Sequence, residues 1–449
     1  MPARFDTSLY IMLDVLASHH VDVDREAIIV RDGAGRLTFV KEKIAKSEDL
    51  VKDLREALGA YAAPMPIVGG SLALRLRQDT RLRRASLQHN GSEIDFLYAD
   101  RRIVGADWML APQASPNGAK RLVFSSLKGG VGRSTALAIL AADLSRKGKR
   151  VLAIDLDIEA PGIGFMMLPP GDGDDDLDLR PDFGAIDYLI ENGLNGVDDY
   201  DLDKFIGVSP FAEGSIDVVP AIGRVTDENP SSMIAKLSRA LVEDSTPAGP
   251  KGLAQQIREM VDRFSATKDY DVILIDARAG MAEVSAAALL WLGAEILFFG
   301  TDQPQTFRGY RYILSHLVET AGFSQNELAE DWREKITFVQ SKAPPSAVAR
   351  SQFRERLYSM CAELIYESET LNADGIVELG AFNPAPDATG PGVPHDAIYV
   401  DHHPAYEAFD PLSDRASLDT DVYRGPFGPF LERCRAILDL ESDTMTDGE

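Results

Sequence analysis

The chain has 449 residues, a formal net charge of −25 at pH 7 and only two cysteines, Cys361 and Cys434. That length is ample for two or three domains with a large core, and two cysteines without metal-site spacing exclude a disulfide framework. The negative charge argues against sequence-independent binding to DNA or to an anionic membrane, and no apolar run of about 18 residues or signal-peptide plan is present, which places the chain in the cytoplasm.

The charge is uneven, because residues 1–115 balance 16 Lys and Arg against 16 Asp and Glu and the remainder carries the whole excess. Residues 7–18 read as a helix, followed by short strands at Ala27–Val30 and Leu37–Val40 around the turn Asp32-Gly33-Ala34-Gly35. A second helix is expected at Glu48–Tyr61, then the Pro/Gly-rich Ala62–Gly70, then a hairpin turning at Asn90-Gly91 with Ile94–Tyr98 as its second strand. This is a small α+β domain without a catalytic constellation, read as an adaptor or sensor. Its cluster Arg75, Arg77, Arg81, Arg83 and Arg84 reads as a solvated face. Pro112–Ala119 reads as the linker out.

From Arg121 apolar strands alternate with helices, the pattern of a doubly wound, mostly parallel α/β sheet. Residues 122–135, LVFSSLKGGVGRST, run from a strand through a glycine-rich turn into a helix start. Gly129, Gly130 and Gly132 lack a Cβ, so the backbone can turn successive N–H groups into one concavity. Leu137, Leu140, Ala141 and Leu144 recur at helical spacing and aim a helix N-terminus at the same place. Ser134 can set its hydroxyl on a magnesium ion. The alternative is a plain turn before a helix. A P-loop pattern expects lysine where Arg133 stands, although Lys128 occurs at the front of the loop.

Val151–Ile154 is an apolar strand ending at Asp155, and Asp155 with Asp157 could serve magnesium and an attacking water. Residues 169–182 form an acidic insertion without EF-hand spacing. Helices are expected at Phe183–Asn192 and Gly252–Phe264, and a strand at Ile216–Pro220. Tyr270–Asp276 is a buried strand delivering a carboxylate at its end, the place of a Walker B acid, with Arg278 and Gly280 following. Arg278 either pairs with an acid or stabilises phosphate charge. Further strands fall at Ala294–Gly300 and Lys335–Gln340, and helices open at Thr301–Thr306, span Ala347–Tyr366 and close the chain at Pro426–Leu440, before the acidic tail 441–449. Asp401-His402-His403 with His395 lacks the ordered spacing of a metal centre.

Lys128-Gly129-Gly130 at the front of the loop resembles the deviant Walker A loop of the MinD/ParA-like ATPases, and Arg133 makes it most similar to their KGGVGR variants. The resemblance covers residues 121–345 well, the region to 440 weakly and residues 1–115 not at all. It implies a P-loop domain over 120–440 that binds ATP and Mg2+ through Gly129, Gly130, Val131, Gly132, Arg133, Ser134 and Thr135. Ser134, Asp155 and Asp276 would serve the metal, and Asp157 would orient the attacking water. It also implies a homodimer facing across two nucleotides, each Lys128 acting in the partner's site, so that hydrolysis depends on dimerisation. The family's adenine-reading asparagine is replaced here by Gln340, and Pro394 and Asp396 resemble its Pro-x-Asp turn beside the base. The basic membrane-targeting helix of the Min proteins is absent. The expected function is a slow ATPase switch for an unidentified protein partner in a bacterial regulatory or defence system, with no membrane and with the net charge arguing against nucleic acid. The alternative is a nucleotide-holding scaffold. A P-loop kinase is disfavoured by the missing tyrosine-rich tail.

Overall fold

The computed structural model describes residues 2–44, 47–77, 82–102, 104–169, 179–211, 215–246, 249–321, 331–367, 370–371, 377–378 and 382–440. The chain divides into two compact units, Met1–Ala106 and Asp107–Glu449. The division falls ahead of the linker expected at Pro112–Ala119. Trp108 is buried in the core of the second unit, and the Gln113 amide donates to the Leu290 carbonyl at 2.7 Å, so that stretch already belongs there. The acidic tail, and residues 170–178 of the acidic insertion, lie outside the described residues.

The first unit runs α1 (Phe5–Ser18), β1 (Ile28–Arg31), β2 (Leu37–Val40), α2 (Glu48–Leu58), β3 (Ala62–Val68), α3 (Ser71–Leu76), β4 (Arg83–His89) and β5 (Ser92–Asp100). Its sheet has the order β3-β2-β1-β5-β4. Met12, Leu16, Leu50, Leu54 and Leu58 repeat at helical spacing on α1 and α2 and bury against Ile29, Phe39 and Phe96 of the sheet. Asn90 and Gly91 both have positive φ, as a two-residue hairpin turn requires, and they join β4 to β5. The stretch read as Pro/Gly-rich connection is a strand. Among the described residues β3 pairs with β2 alone, and an edge strand tolerates Pro64 and Pro66 because one side of it needs no N–H donor.

The second unit carries an eight-stranded sheet. Its strands are β6 (Lys120–Ser126), β7 (Val151–Asp155), β8 (Gly207–Val208), β9 (Ile216–Val219), β10 (Val272–Asp276), β11 (Glu295–Gly300), β12 (Ile336–Ala343) and β13 (Ile398–Asp401). The spatial order is β13-β12-β11-β6-β10-β7-β9-β8, and every neighbouring pair is parallel except β8 with β9. Helices cover both faces: α4 (Arg133–Arg146) and α9 (Thr420–Ile437) on one, and α5 (Ala185–Leu194), α6 (Leu253–Ser265), α7 (Pro304–Ala321) and α8 (Ala347–Leu364) on the other. Alternation decides the face. On β6, Leu122 and Phe124 join the α4 core while Val123 joins the opposite one. Leu137 and Leu140 are wholly buried, and truncating either to alanine should cost about 2–5 kcal/mol.

α9 starts six residues before the expected Pro426 and keeps Pro426 and Pro429 inside it. Burial of Tyr423, Phe427, Phe430, Leu431 and Cys434 on one face offsets the lost backbone bonds. β6 sits centrally, with the path through α4 to β7 going one way and the path from β10 to β11 the other. The loop after β6 therefore opens at the point where such sheets leave a crevice.

Candidate nucleotide site

β6 ends at Ser126, and the chain turns through Gly130 (φ 73°) and Gly132 (φ 87°) before α4 begins at Arg133. Both glycines are left-handed, and no atom of the described residues lies within 4 Å of a Cβ built at Gly129, Gly130 or Gly132, so the concavity is open among them. The Ser126 hydroxyl donates to the Lys128 carbonyl at 2.9 Å and shapes the front of the loop. Lys128 is exposed, and no side-chain partner for it is found among the described residues. Val131 is buried, and Thr135 is half-buried at the first turn of α4.

Three carboxylates stand behind the loop, delivered by adjacent parallel strands in register, Asp276 opposite both Asp155 and Phe124. The Ser134 hydroxyl donates to Asp276 Oδ2 at 2.5 Å, and Asp276 Oδ1 is buried without a hydrogen-bond partner among the described residues. Asp155 accepts from the Asp157 and Gly162 amides, each at 3.0 Å. Burial and mutual repulsion hold Asp155 above the usual carboxylate range, and burial does the same to Asp276 against the opposing pull of Arg133 and Ser134. Two acids that resist ionisation beside a serine hydroxyl and an unpartnered oxygen form a hard-oxygen donor set suited to magnesium, which takes one or two carboxylates and leaves its other positions to water and phosphate.

Arg133 is not where the loop pattern puts a phosphate-binding cation. Its guanidinium turns inward, Nη1 donating to the Ala277 carbonyl and Nη2 lying 3.5 Å from Asp157 Oδ2. Arg278 pairs with acids, Glu159 at 2.6 Å and Asp157 at 4.0 Å.

Gln340 lies at the C-terminal part of β12, buried, its Oε1 without a partner among the described residues. Pro394 and Asp396 are not brought to the loop. They precede β13, whose direction parallels β12, and so enter the sheet from the edge opposite the loop, where Asp396 accepts from Arg433 at 2.6 Å and from the Gly390 amide at 2.9 Å. What lies beside Thr135 is a small pocket lined by Ser341, Lys342, Asp401, His402 and His403. Lys342 has φ 51°, and the β12–β13 register shifts between Gln340 and Ala343, so the strand bends where it lines this pocket. The only signal in the sequence was the Asp-His-His run. Its histidines hold no metal-like cluster among the described residues: His402 meets Glu407 at 3.0 Å, and buried His395 meets the Tyr366 hydroxyl at 2.5 Å.

A parallel sheet with a glycine loop feeding a helix N-terminus and acids at the neighbouring strand ends defines a P-loop nucleotide-binding unit. Residues 122–269 match the CobQ/CobB/MinD/ParA nucleotide binding domain, and this part of the chain is a MinD/ParA-like P-loop domain. The chromosome-partitioning ATPase Soj of Thermus thermophilus is 36% identical over 78 residues, 17% of this chain and 27% of that protein, so the chain spans about a quarter of this relative. Among solved structures, a ParA of pNOB8 is 18% identical with a TM-score of 0.43, over 72% of this chain and 96% of that one. A putative plasmid partition protein of Borrelia burgdorferi bound to AMPPNP is 20% identical with a TM-score of 0.34, over 54% and 84%. Cobyrinic acid a,c-diamide synthase of Mycobacterium smegmatis with bound ADP and magnesium is 15% identical with a TM-score of 0.37, over 69% and 96%. These likenesses are too loose to transfer a role. The pNOB8 ParA is also described bound to nonspecific DNA, so the comparisons lend no support to the expectation against nucleic acid. No helix among the described residues is long and apolar enough to cross a membrane.

Proposed function

We propose that the second unit binds ATP with magnesium and hydrolyses it slowly as a dimer, switching its affinity for a protein partner in a bacterial regulatory or defence system. One observation carries the reading: the open glycine loop stands directly over the bonded Ser134–Asp276 pair, with the free Asp276 oxygen behind it. The loop amides and the α4 N-terminus would receive the phosphates, and Ser134, Asp276 and Asp155 would hold the magnesium. When bound, that ion neutralises charge on the terminal phosphates. Asp157 would orient water, Thr135 would border the nucleoside, and Lys128, free on the surface, would act in the partner's site.

Titration calorimetry with Mg-ATP tests binding, and no heat of binding at millimolar nucleotide would end the reading. Lys128→Ala should keep affinity within about threefold while steady-state turnover falls about a hundredfold or more, the signature of an interaction used only in the transition state. A turnover that does not rise with protein concentration would remove the dimer from the proposal. The scaffold reading has its own support, because Arg133 is engaged by Ala277 and Asp157 instead of standing free for phosphate. It predicts binding with no single-turnover hydrolysis.

A further inference from the structure

Asp157 lies between two guanidinium groups that come from different elements. Arg133, first residue of α4, puts Nη2 3.5 Å from Oδ2, and Arg278, just past β10, puts Nη1 4.0 Å from Oδ1. Arg278 is braced by Glu159 at 2.6 Å. Arg133 is 7% exposed, and Asp157 Oδ1 is buried with no hydrogen-bond partner among the described residues.

A charge-assisted nitrogen–oxygen bond is usually about 2.7–2.9 Å long, so the Arg133–Asp157 contact is a weak one. Phosphate offers a guanidinium two oxygens at once, in the planar geometry it favours. Resting on the ATP reading above, we infer that Asp157 and an incoming terminal phosphate compete for Arg133, and that Arg278, held by Glu159 with Nη1 4.0 Å from Asp157, is the cation that closes on Asp157 once Arg133 has moved. Binding of a nucleotide that carries the terminal phosphate must then break the Arg133–Asp157 contact, which scales apparent affinity down to the fraction of molecules in which it is not made. Arg278 is a positioning residue: it acts on the phosphate end only through Asp157. ADP lacks the terminal phosphate and leaves the contact intact, so the pair distinguishes the two nucleotides.

The test uses the full chain with magnesium and AMPPNP, a non-hydrolysable ATP analogue, by titration calorimetry, together with single-turnover ATP hydrolysis. Asp157→Asn weakens the internal competitor and should bind AMPPNP about three- to tenfold tighter, with ADP affinity unchanged. Arg278→Gln should keep AMPPNP affinity within about twofold while slowing the single turnover about tenfold or more, and Arg278→Lys should restore part of the rate. Melting curves matching the wild type establish that both variants fold. An Asp157→Asn variant that binds AMPPNP no tighter overturns the competition. Equal losses of affinity and rate in Arg278→Gln overturn the positioning role. If the wild type turns over no ATP, the Asp157→Asn affinity alone decides. A wild type that fails to bind AMPPNP overturns the ATP reading itself, whereas a wild type that binds with no gain in the variant overturns only this inference.

Discussion

Two groups of buried aspartates in the second unit are treated in opposite ways. Asp143, Asp187 and Asp217 are nearly inaccessible, and each has a cation: Lys147 and Arg435 on Asp143, Lys236 on Asp187, Lys268 on Asp217. Asp187 also accepts from the Gly184 amide at 3.0 Å, capping α5, and from the Thr226 hydroxyl at 3.2 Å, while Asp217 accepts from Tyr270 at 2.7 Å. Asp155 and Asp276 are as deeply buried, yet among the described residues no lysine or arginine is bonded to either, and both are held above the ordinary carboxylate range. A charge buried without a partner is expensive, so the fold closes its structural acids and leaves these two open. The difference separates an architectural acid from one kept for a ligand cation.

Breaking a closed acid should have the largest effect. Asp187→Ala strips Lys236 of its partner and α5 of its cap, and should cost about 3 kcal/mol, read as a loss of urea midpoint at unchanged slope. Nucleotide affinity measured well below the transition should stay within about twofold. A loss under about 1 kcal/mol would mean that the pair is no tighter than a surface one, and the contrast between the two groups would fail.

An open acid should respond with the other sign. Asp276→Asn keeps an acceptor for Ser134 and removes an uncompensated charge, so the ligand-free chain should gain about 1 kcal/mol in stability. The magnesium-dependent part of its ATP affinity should fall about tenfold to a hundredfold. Paired melting curves with and without Mg-ATP check both: the variant should melt higher than wild type without ligand and lose most of the ligand-induced shift. Destabilisation of the ligand-free form would place Asp276 with the structural acids.

Most of this architecture is legible in the sequence wherever the period of burial is local. β6, β7, β10 and β11 are apolar runs buried on both faces, and the glycine loop announces itself by composition. The errors share a cause. β3 reads as connection because its two prolines speak louder than its edge position, which only the sheet order reveals. The partners that Arg133 holds, Ala277 and Asp157, come from two other strand ends, which the loop motif by itself does not show. Pro394 and Asp396 match a short pattern, but the direction of β13 carries them to the far edge and puts Asp401-His402-His403 beside Thr135 instead. Motif spacing survives folding; which edge of a sheet a motif reaches does not show until the topology is known.

pH gives the smallest and most discriminating test. His395 is wholly buried, one ring nitrogen 2.5 Å from the Tyr366 hydroxyl and the other 3.3 Å from the Pro386 carbonyl, and burial lowers its pKa from the ordinary value of 6.5. In the window between its folded value and 6.5 the unfolded chain binds a proton that the folded chain refuses. Stability from this group is thus complete above pH 6.5 and is lost as pH falls, at up to about 1.4 kcal/mol per pH unit within the window. The open acids run the opposite way: with folded values raised, they destabilise the ligand-free chain at high pH, and that cost is relieved as pH falls through those values. Urea midpoints from pH 8 to pH 5 for wild type, His395→Asn and Asp276→Asn separate the two. The histidine variant should decline less steeply toward acid than wild type, and the aspartate variant more steeply. An aspartate variant whose slope over this range matches the wild type would show that Asp276 stays ionised and paired in the folded chain, and would close the distinction between open and structural acids.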